Sequence, residues 1–181
     1  MLALVIFTAP DVAVSEEETL WRALASKGHV ALLRHAIAPG TGDPAEFSVG
    51  DCSTQRNLST EGRAQAARIG DRFRKNGMDT ARVFSSQWCR CLDTAQLLEL
   101  GPVEKLPILN SFYQRTERRD PQTRALKEWL TSQELDYPIV LVTHQVNITA
   151  LTDVYPASGE LVVIRISEAD EITTIGSIEI D

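Results

Sequence analysis

Short, strongly apolar runs alternate along the chain with longer segments in which apolar residues recur every three or four positions. The apolar runs predict β-strands, and the longer segments predict amphipathic helices. The predicted strands cover residues 29–34, 81–85, 103–106, 138–143, 160–166 and 172–180. The predicted helices cover residues 16–27, 60–75, 87–99, 121–130 and 146–153. This alternation predicts an α/β fold of three layers, with a mostly parallel central sheet between two layers of helices.

Residues at the ends of the predicted helices support these boundaries. Ser59 is expected to cap the second helix, and Asn76–Gly77 to end it. Ser86 is expected to cap the third helix, and Pro121 fits the first turn of the fourth. Residues 36–57 are rich in glycine and proline and predict a long loop, and loops of this length are commonly functional.

Composition limits the classes of function. The chain has 181 residues, 43% of them apolar, so we expect one globular domain over residues 16–181. Its net charge of −7 argues against general nucleic-acid binding, which requires many neutralised phosphates. An anionic substrate would need basic groups concentrated in one cleft. No apolar stretch is long enough to predict a membrane span.

Two features bear on the cellular compartment. Residues 1–15 are apolar and then acidic, without a basic start, and we interpret them as the end of a truncated signal peptide or as an apolar N-terminal tail. The first interpretation predicts a periplasmic or secreted protein, and the second a cytoplasmic one. Three cysteines are too few for a disulfide framework, but in an oxidising compartment Cys52 is expected to pair with Cys89 or with Cys91.

Basic and imidazole side chains follow three of the predicted strands. His35 follows the first strand directly after Arg34, His144 follows strand 138–143, and Arg90 comes shortly after strand 81–85. Because ligands of open α/β sheets bind beyond the carboxyl ends of the strands, we expect these side chains to share one site. Two histidines and two arginines, with no carboxylate in these motifs, suit a doubly charged anion such as a phosphoryl group.

Metal binding is the main alternative use of paired histidines. The chain has no His-x-x-x-His or His-x-His pair, and no Asp or Glu adjoins His35 or His144, so the spacing argues against a metal site. Arg90 is expected in the first turn of a helix, where a cation opposes the helix dipole and a bound anion would account for it. His29, at the opposite end of the first strand, is interpreted as structural.

Four segments resemble the motifs of the histidine phosphatase superfamily, also called phosphoglycerate mutase-like. Leu33–Ala36 is similar to its Leu-Arg-His-Gly signature, and Asn57–Ala66 to its Leu, Ser/Thr, Gly, Gln-Ala helix start. Ser85–Ala95 is similar to its Ser-Ser, Arg, Thr-Ala pattern, and Val142–His144 to its last catalytic element. The order matches, and the length fits compact members of branch 1, including small bacterial phosphohistidine and envelope-sugar phosphatases.

The resemblance implies the family fold and a role for each residue. His35 would attack phosphorus, and Arg34, Arg90 and His144 would hold the phosphoryl oxygens, with no metal or cofactor. Further substrate-binding residues are expected at three positions: Arg56, Ser86 and Thr143. Arg56 resembles the arginine that precedes the Leu-Thr element in small phosphatases, with an ordinary loop arginine as the alternative.

The chain departs from the family pattern at two positions. Ala36 replaces the usual glycine of the first motif, and Ser111 stands where the general acid, a glutamate, is expected. A proton donor is needed when the leaving group is poor. The candidate carboxylates are Glu160, which we place first, and then Glu117, Asp43 and Asp51.

Two functional hypotheses follow. The first is a metal-independent phosphatase that forms a phosphohistidine intermediate on a small phosphorylated metabolite, an envelope sugar phosphate or a phosphoprotein. The second is a phospho-ligand binding protein with weak or no catalysis, which the serine at position 111 motivates. The first predicts turnover of a phosphate ester, and the second predicts binding without product release.

Overall fold

In the computed structural model, residues 15–180 are described. They form six strands and five helices. The strands are β1 (His29–Arg34), β2 (Arg82–Ser85), β3 (Val103–Lys105), β4 (Ile139–Thr143), β5 (Leu161–Ile166) and β6 (Ile172–Ile178). The helices are α1 (Glu16–Leu24), α2 (Thr60–Lys75), α3 (Cys89–Leu97), α4 (Arg119–Thr131) and α5 (Gln145–Thr152).

The strands form a single sheet in the order β3-β2-β4-β1-β5-β6. The pairs β2–β3, β2–β4 and β1–β4 are parallel, whereas β1–β5 and β5–β6 are antiparallel. The prediction of a mostly parallel sheet is therefore confirmed. The parallel part brings the carboxyl ends of β1, β4 and β2 side by side, with β4 in the middle.

Alternating strand residues point to opposite faces of the sheet, as the pleat requires. On one face, Leu33 and Val142 pack with the buried side chains of α1, α2 and α3. On the other face, Leu32 and Leu141 pack with α4 and α5. Both layers of helices are thus anchored by buried apolar contacts, and the predicted three-layer α/β/α architecture is confirmed.

Local capping explains where the helices begin. Ser59 caps α2 as predicted, because its Oγ accepts a hydrogen bond of 2.9 Å from the backbone N–H of Gly62. The prediction that Ser86 caps α3 is wrong: Trp88 occupies the N-cap position, and its side chain makes no cap hydrogen bond. The Ser86 hydroxyl instead contacts His144, so it serves the site and not the helix end.

The start of α2 lies against the segment that follows β1. Gly62 is so close to this segment that an added Cβ would lie 2.0 Å from the Ile37 carbonyl oxygen. Ser59 reinforces the contact, because its N–H donates to the same carbonyl at 3.0 Å. A glycine at position 62 therefore holds the chain directly after His35 in place.

Most predicted elements are present with shorter ends. The predicted helix 16–27 ends at Leu24, and the predicted helix 87–99 begins at Cys89 and ends at Leu97. The expected signal peptide or tail falls on residues 1–15, of which 1–14 lie outside the described residues. Within the described part, no helix combines the length and apolarity that crossing a membrane requires.

Candidate active site

The carboxyl ends of β1, β4 and β2 form one wall of a cavity of about 540 Å³. The strand register places Arg34 beside Thr143 and Ser85 beside Val142, so the residues that follow these strands are neighbours. The cavity is lined by the four residues predicted to be catalytic and by Arg56: Arg34, His35, Arg56, Arg90 and His144. The structure therefore brings together side chains that are far apart in the chain.

His35 is held in one orientation by the backbone. Its Nδ1 lies 2.8 Å from the Ala36 carbonyl oxygen, which can only accept a hydrogen bond, so Nδ1 carries the proton. Nε2 is then unprotonated and accepts a hydrogen bond of 3.2 Å from Nε of Arg90. Burial, together with the charge of Arg90, lowers the pKa of His35 to about 3. The ring is therefore a neutral nucleophile with its lone pair directed toward Arg90.

His144 faces His35 across the site, with ring centroids 5.5 Å apart. Its Nδ1 lies 3.5 Å from Nη2 of Arg90, and its Nε2 lies 2.9 Å from the hydroxyl of Ser86. Burial, followed by the proximity of His35 and Arg90, lowers its pKa well below the usual value. A neutral ring next to a hydroxyl that can donate or accept is able to carry its proton on either nitrogen.

Arg90 lies between the two histidines and is paired with a carboxylate from the long loop. Its Nη1 donates to Oδ1 of Asp43 at 2.7 Å, and its Nη2 donates to Oδ2 at 3.0 Å. The side chains of Arg90 and Asp43 are only 3% and 9% exposed. Burial alone would raise the Asp43 pKa, but hydrogen bonds from Arg90 and Trp88 hold the pKa below its ordinary value. The carboxylate therefore stays charged.

Two further arginines complete a cationic wall. Arg34 donates from Nη1 to the Pro156 carbonyl at 2.8 Å, while its buried Nε has no hydrogen-bond partner among residues 15–180. Arg56 donates from Nε to the Gly42 carbonyl at 2.8 Å. Burial, and then the charge of Arg90, lowers the pKa of both guanidinium groups. An anion in the cavity would relieve this repulsion and offer an acceptor to the unpaired Nε.

Ser86 and Thr143, predicted to bind substrate, are adjacent to the site but do not line the cavity. The Ser86 hydroxyl lies between Nε2 of His144 and Oδ1 of Asn110, at 2.9 and 3.2 Å. The Thr143 hydroxyl donates to the Leu109 carbonyl at 2.7 Å. Ser86 therefore contacts the histidine that follows β4, whereas Thr143 holds the segment around Leu109, and neither side chain lines the cavity.

Of the four candidate general acids, Asp43 lines the cavity and the other three do not. Glu160 is buried, and its carboxylate accepts a hydrogen bond of 2.6 Å from the Ala157 N–H. Glu117 is exposed, and Asp51 caps a short helical turn through Ser53. Among the described residues, Asp43 is the single carboxylate that lines the cavity, whereas Ser111 lines it without a carboxyl group.

Three features of the cavity wall were not predicted from the sequence. Asp43 was predicted as a candidate acid but not as the partner of Arg90. The ring of Trp88 and the arginines at positions 115 and 118 were not predicted to line the cavity. The length of the loop 36–57 was the available signal for Asp43. No periodic pattern marks Arg115 and Arg118, because they lie next to or within a short 3-10 turn between β3 and α4.

A disulfide ties the long loop to α3. Cys52 is bonded to Cys89, the residue directly before Arg90, which selects one of the two predicted pairings. Cys91 is a buried free thiol, and burial raises its pKa to about 12. Its Sγ lies 3.5 Å from Nε2 of His144. The disulfide therefore fastens the segment that carries Asp43 beside the residue with which Asp43 pairs.

No cluster that could hold a metal ion occurs in the part of the chain that the structure describes. The cavity presents arginine donors and neutral imidazoles, and cationic arginines suit phosphate or carboxylate oxygens. Chemically, the arrangement can hold an oxyanion against the unprotonated nitrogen of His35.

Known proteins share this fold. Residues 30–113 match the model of the histidine phosphatase superfamily (branch 1). The protein histidine phosphatase SixA, solved with tungstate, is 16% identical with a TM-score of 0.61, over 83% of this chain and 96% of that chain. A putative alpha-ribazole-5'-P phosphatase from Escherichia coli is 17% identical with a TM-score of 0.60, over 83% and 94%.

A mycobacterial glucosyl-3-phosphoglycerate phosphatase is 18% identical, with a TM-score of 0.56 over 80% of this chain and 92% of that chain. No curated protein sequence matches the chain significantly. At these identities, the solved structures establish the fold, and the matched motifs cover β1 and the strand-end segment around Arg90. The chain is therefore similar to the histidine phosphatase superfamily (branch 1) over residues 30–113, and it shares the fold of these solved structures.

Proposed function

We propose that the protein is a phosphomonoester hydrolase that forms a phosphohistidine intermediate on His35 without a metal. The observation that carries the proposal is the unprotonated Nε2 of His35, which faces Arg90 while the Ala36 carbonyl holds the proton on Nδ1. His144 closes the opposite side of the same space. The match of residues 30–113 to the histidine phosphatase family model and the similarity to solved phosphatases support this proposal.

In the first step, Nε2 of His35 attacks phosphorus, the bond from phosphorus to the leaving oxygen or nitrogen breaks, and the leaving group takes its proton from solvent. Arg34, Arg90 and His144 hold the phosphoryl oxygens. The positive charge of the two arginines and hydrogen bonds from all three residues stabilise the charge that builds up in the transition state. Once a phosphoryl oxygen replaces Nδ1 of His144 as the acceptor for Nη2 of Arg90, Nδ1 carries the His144 proton and Ser86 donates to Nε2. Arg56 acts as a further anion ligand at the cavity wall.

In the second step, water attacks the phosphohistidine, inorganic phosphate leaves, and His35 returns as a neutral base. The proton of the water passes to the solvent or to the phosphate product. No carboxylate of residues 15–180 lines the cavity apart from Asp43, which is paired with Arg90, so the leaving group must depart with little help. We therefore propose that the enzyme prefers substrates with good leaving groups, such as phosphohistidine, aryl phosphates or sugar 1-phosphates, to simple alkyl phosphates.

The test is hydrolysis of a chromogenic aryl phosphate in the presence of a chelator. We expect turnover by the wild type and loss of turnover in His35→Ala. His29→Ala is the matched control, because His29 lies at the other end of β1 and is bonded locally to Ser26 and Lys27. Full activity of His35→Ala, or turnover that a chelator abolishes, would contradict the proposed mechanism.

A second candidate function is phospho-ligand binding with weak catalysis. The observation that favours it is Ser111, which occupies the cavity wall where the family's acid is expected. A panel from aryl to alkyl phosphates separates the two functions. Hydrolysis that rises with leaving-group acidity supports the enzyme, whereas stabilisation by phosphate with no product from any member supports the binding protein.

Three further properties are proposed with this function. Residues 16–181 form one domain, and the partner is a small phosphorylated molecule and not a nucleic acid. The Cys52–Cys89 disulfide supports folding in an oxidising compartment, such as the periplasm or the exterior of the cell.

A further inference from the structure

We propose that Asp43 is a positioning residue, which fills one fork of the Arg90 guanidinium and thereby turns the other fork toward the phosphoryl site. This inference rests on the proposed function of His35, Arg90 and His144. Asp43 belongs to none of the motifs that resemble the family. It reaches the site from the long loop between β1 and α2.

All five N–H groups of Arg90 have an acceptor. The two terminal nitrogens form a bidentate pair with the Asp43 carboxylate, at 2.7 and 3.0 Å. The second proton of Nη1 goes to the Arg56 carbonyl at 3.2 Å. The remaining fork, Nε and Nη2, faces Nε2 of His35 at 3.2 Å and Nδ1 of His144 at 3.5 Å.

This division of donors has a chemical consequence. A phosphoryl group on its way to His35 must approach Nε2 of that ring, beside the Nε–Nη2 fork of Arg90, which can then grip two of its oxygens. The other fork, formed by Nη1 and Nη2, is filled by Asp43 and is therefore not free to bind the phosphoryl group. The carboxylate therefore does not compete with the phosphoryl group, and it fixes the rotation of the guanidinium about its stem.

Asp43 is itself held by two further hydrogen bonds and by the anchoring of its loop. Trp88 donates from Nε1 to Oδ2 at 2.9 Å, and the Arg56 N–H donates to Oδ1 at 3.2 Å. The Trp88 ring stacks on Phe47, with centroids 4.8 Å apart. The disulfide Cys52–Cys89 ties the same loop to the start of α3. A carboxylate with this many constraints can transmit its position to Arg90.

Asp43 also balances charge. Arg34, Arg56 and Arg90 crowd one wall, and Arg90 lowers the pKa of the other two. Without the carboxylate, the terminal fork of Arg90 would be free to bind the phosphoryl group in a rotated, unproductive orientation. A misplacement of about 1 Å at a reacting group commonly lowers a rate by about 10²-fold.

The test is Asp43→Asn, with Glu46→Gln as the matched control, since Glu46 is an exposed carboxylate of the same loop that does not line the cavity. We expect kcat and kcat/KM for an aryl phosphate to fall together by about 10²-fold in Asp43→Asn, with little change in KM. Glu46→Gln should keep wild-type values. Trp88→Phe, which removes one hydrogen bond to Asp43 and keeps the stacked ring, should give a smaller loss of kcat.

Orthovanadate binding provides a readout that does not depend on turnover. It imitates the five-coordinate transition state, so its affinity for Asp43→Asn should weaken in parallel with kcat/KM. If Asp43 instead blocked the site, Asp43→Asn would bind vanadate more tightly and turn over faster, and this result would overturn the proposal. Unchanged vanadate affinity and kcat in a folded Asp43→Asn would overturn it equally.

The same measurements separate this inference from the proposed function. A wild type that binds vanadate but hydrolyses no ester would contradict the phosphatase, while the affinity of Asp43→Asn would still decide the role of the carboxylate. If Asp43→Asn fails to fold, Trp88→Phe decides the question through kcat and vanadate affinity alone.

Discussion

At the scale of single residues, His35 and His144 are neutral because both rings are buried beside a guanidinium. Burial, helped by Arg90, keeps the pKa of His35 at about 3 and that of His144 well below its usual value. The proposed nucleophile, His35, therefore has no proton to lose at Nε2 and is available through the whole physiological pH range. This arrangement lowers the stability of the folded state at low pH, because the buried rings do not bind the protons that the unfolded chain binds.

That cost predicts a pH-dependent stability. Unfolded histidine titrates near 6.5, so below that pH the unfolded chain binds protons that the folded chain excludes. The free energy of unfolding then falls as the pH falls, by up to about 1.4 kcal/mol per pH unit for each ring. We expect His35→Asn to show a shallower loss of Tm between pH 6.5 and about pH 4. Scanning calorimetry measures the slopes, and His29→Asn is the control.

The wild-type slope should be retained in His29→Asn, because that ring lies at the surface end of β1. Equal slopes in the wild type and His35→Asn would show that the ring is protonated in the fold. The sequence predicted both histidines from their positions after apolar strands. It did not predict their protonation. For His35 the protonation depends on the packing of Arg90 and on the Ala36 carbonyl, and no sequence pattern predicts these two contacts.

At the scale of elements, the segment between β1 and α2 is the most consequential piece of irregular structure. It supplies Asp43 and Phe47 to the cavity wall, and the bond from Cys52 to Cys89 fastens it to α3. The sheet and its two apolar cores do not include this bond. The disulfide therefore acts on stability and on the geometry of the site as two distinguishable effects.

The double variant Cys52→Ser/Cys89→Ser tests both effects. The bond closes a loop with a sequence separation of 37, for which the chain-entropy relation gives about 4 kcal/mol of stabilisation. We expect a lower Tm and a lower kcat, because the loop that carries Asp43 is no longer fastened beside Arg90. The measurements are thermal unfolding and aryl phosphate hydrolysis, with and without reductant.

Reductant should move the wild type toward the double variant and leave the double variant unchanged. An unchanged kcat after full reduction of the wild type would separate the loop from catalysis. The sequence left the pairing of Cys52 open, since Cys89 and Cys91 are two residues apart. Only the orientation of α3 decides it: Cys89 faces the loop, whereas Cys91 faces the carbonyl of Thr143 at 3.6 Å.

The same orientation explains the wrong prediction at Ser86. A serine before a helix usually caps it, but here the hydroxyl lies between His144 and Asn110. The extent of α2, by contrast, was predicted correctly, because its apolar stripe and its cap are both local signals. Helices and strands are predicted well from local patterns, and the predictions fail where a side chain contacts the site, as Ser86 does.

At the scale of the whole molecule, an acidic protein carries a basic cavity. The chain has a net charge of −7, yet within residues 15–180 the charged side chains that line the cavity are five arginines and one carboxylate: Arg34, Arg56, Arg90, Arg115, Arg118 and Asp43. Arg115 and Arg118 are exposed. A concave surface of one sign concentrates oppositely charged ligands against the field of the rest of the protein.

This separation of charge predicts salt-dependent kinetics. We expect kcat/KM for a dianionic aryl phosphate to fall between about 0.01 M and 0.15 M salt, as the Debye length shrinks from about 30 Å to about 8 Å. Arg118→Gln should lower kcat/KM at low salt and weaken its salt dependence, because one cavity charge is removed. Steady-state kinetics across this salt range are the measurement.

Arg124→Gln is the control, since Arg124 is an arginine of α4 that does not line the cavity. Equal effects of the two variants would assign the salt dependence to net charge and not to the cavity. The sequence predicted that basic groups must gather, and it identified the arginines at strand ends and, by resemblance, Arg56. Arg115 and Arg118 were not predicted, because they lie in an irregular segment that carries no such signal.

The order of the strands also decides when the site comes into existence. Val30 of β1 lies between Ile139 of β4 and Ile164 of β5, so the central strand meets both of its neighbours late in the chain. Pairing of such distant segments is slow, because the intervening chain must first be closed into a loop. During synthesis, His35 emerges long before β4 and β5, which lie in the last third of the polypeptide. We therefore expect the proposed chemistry to begin only once β4 has paired with β1.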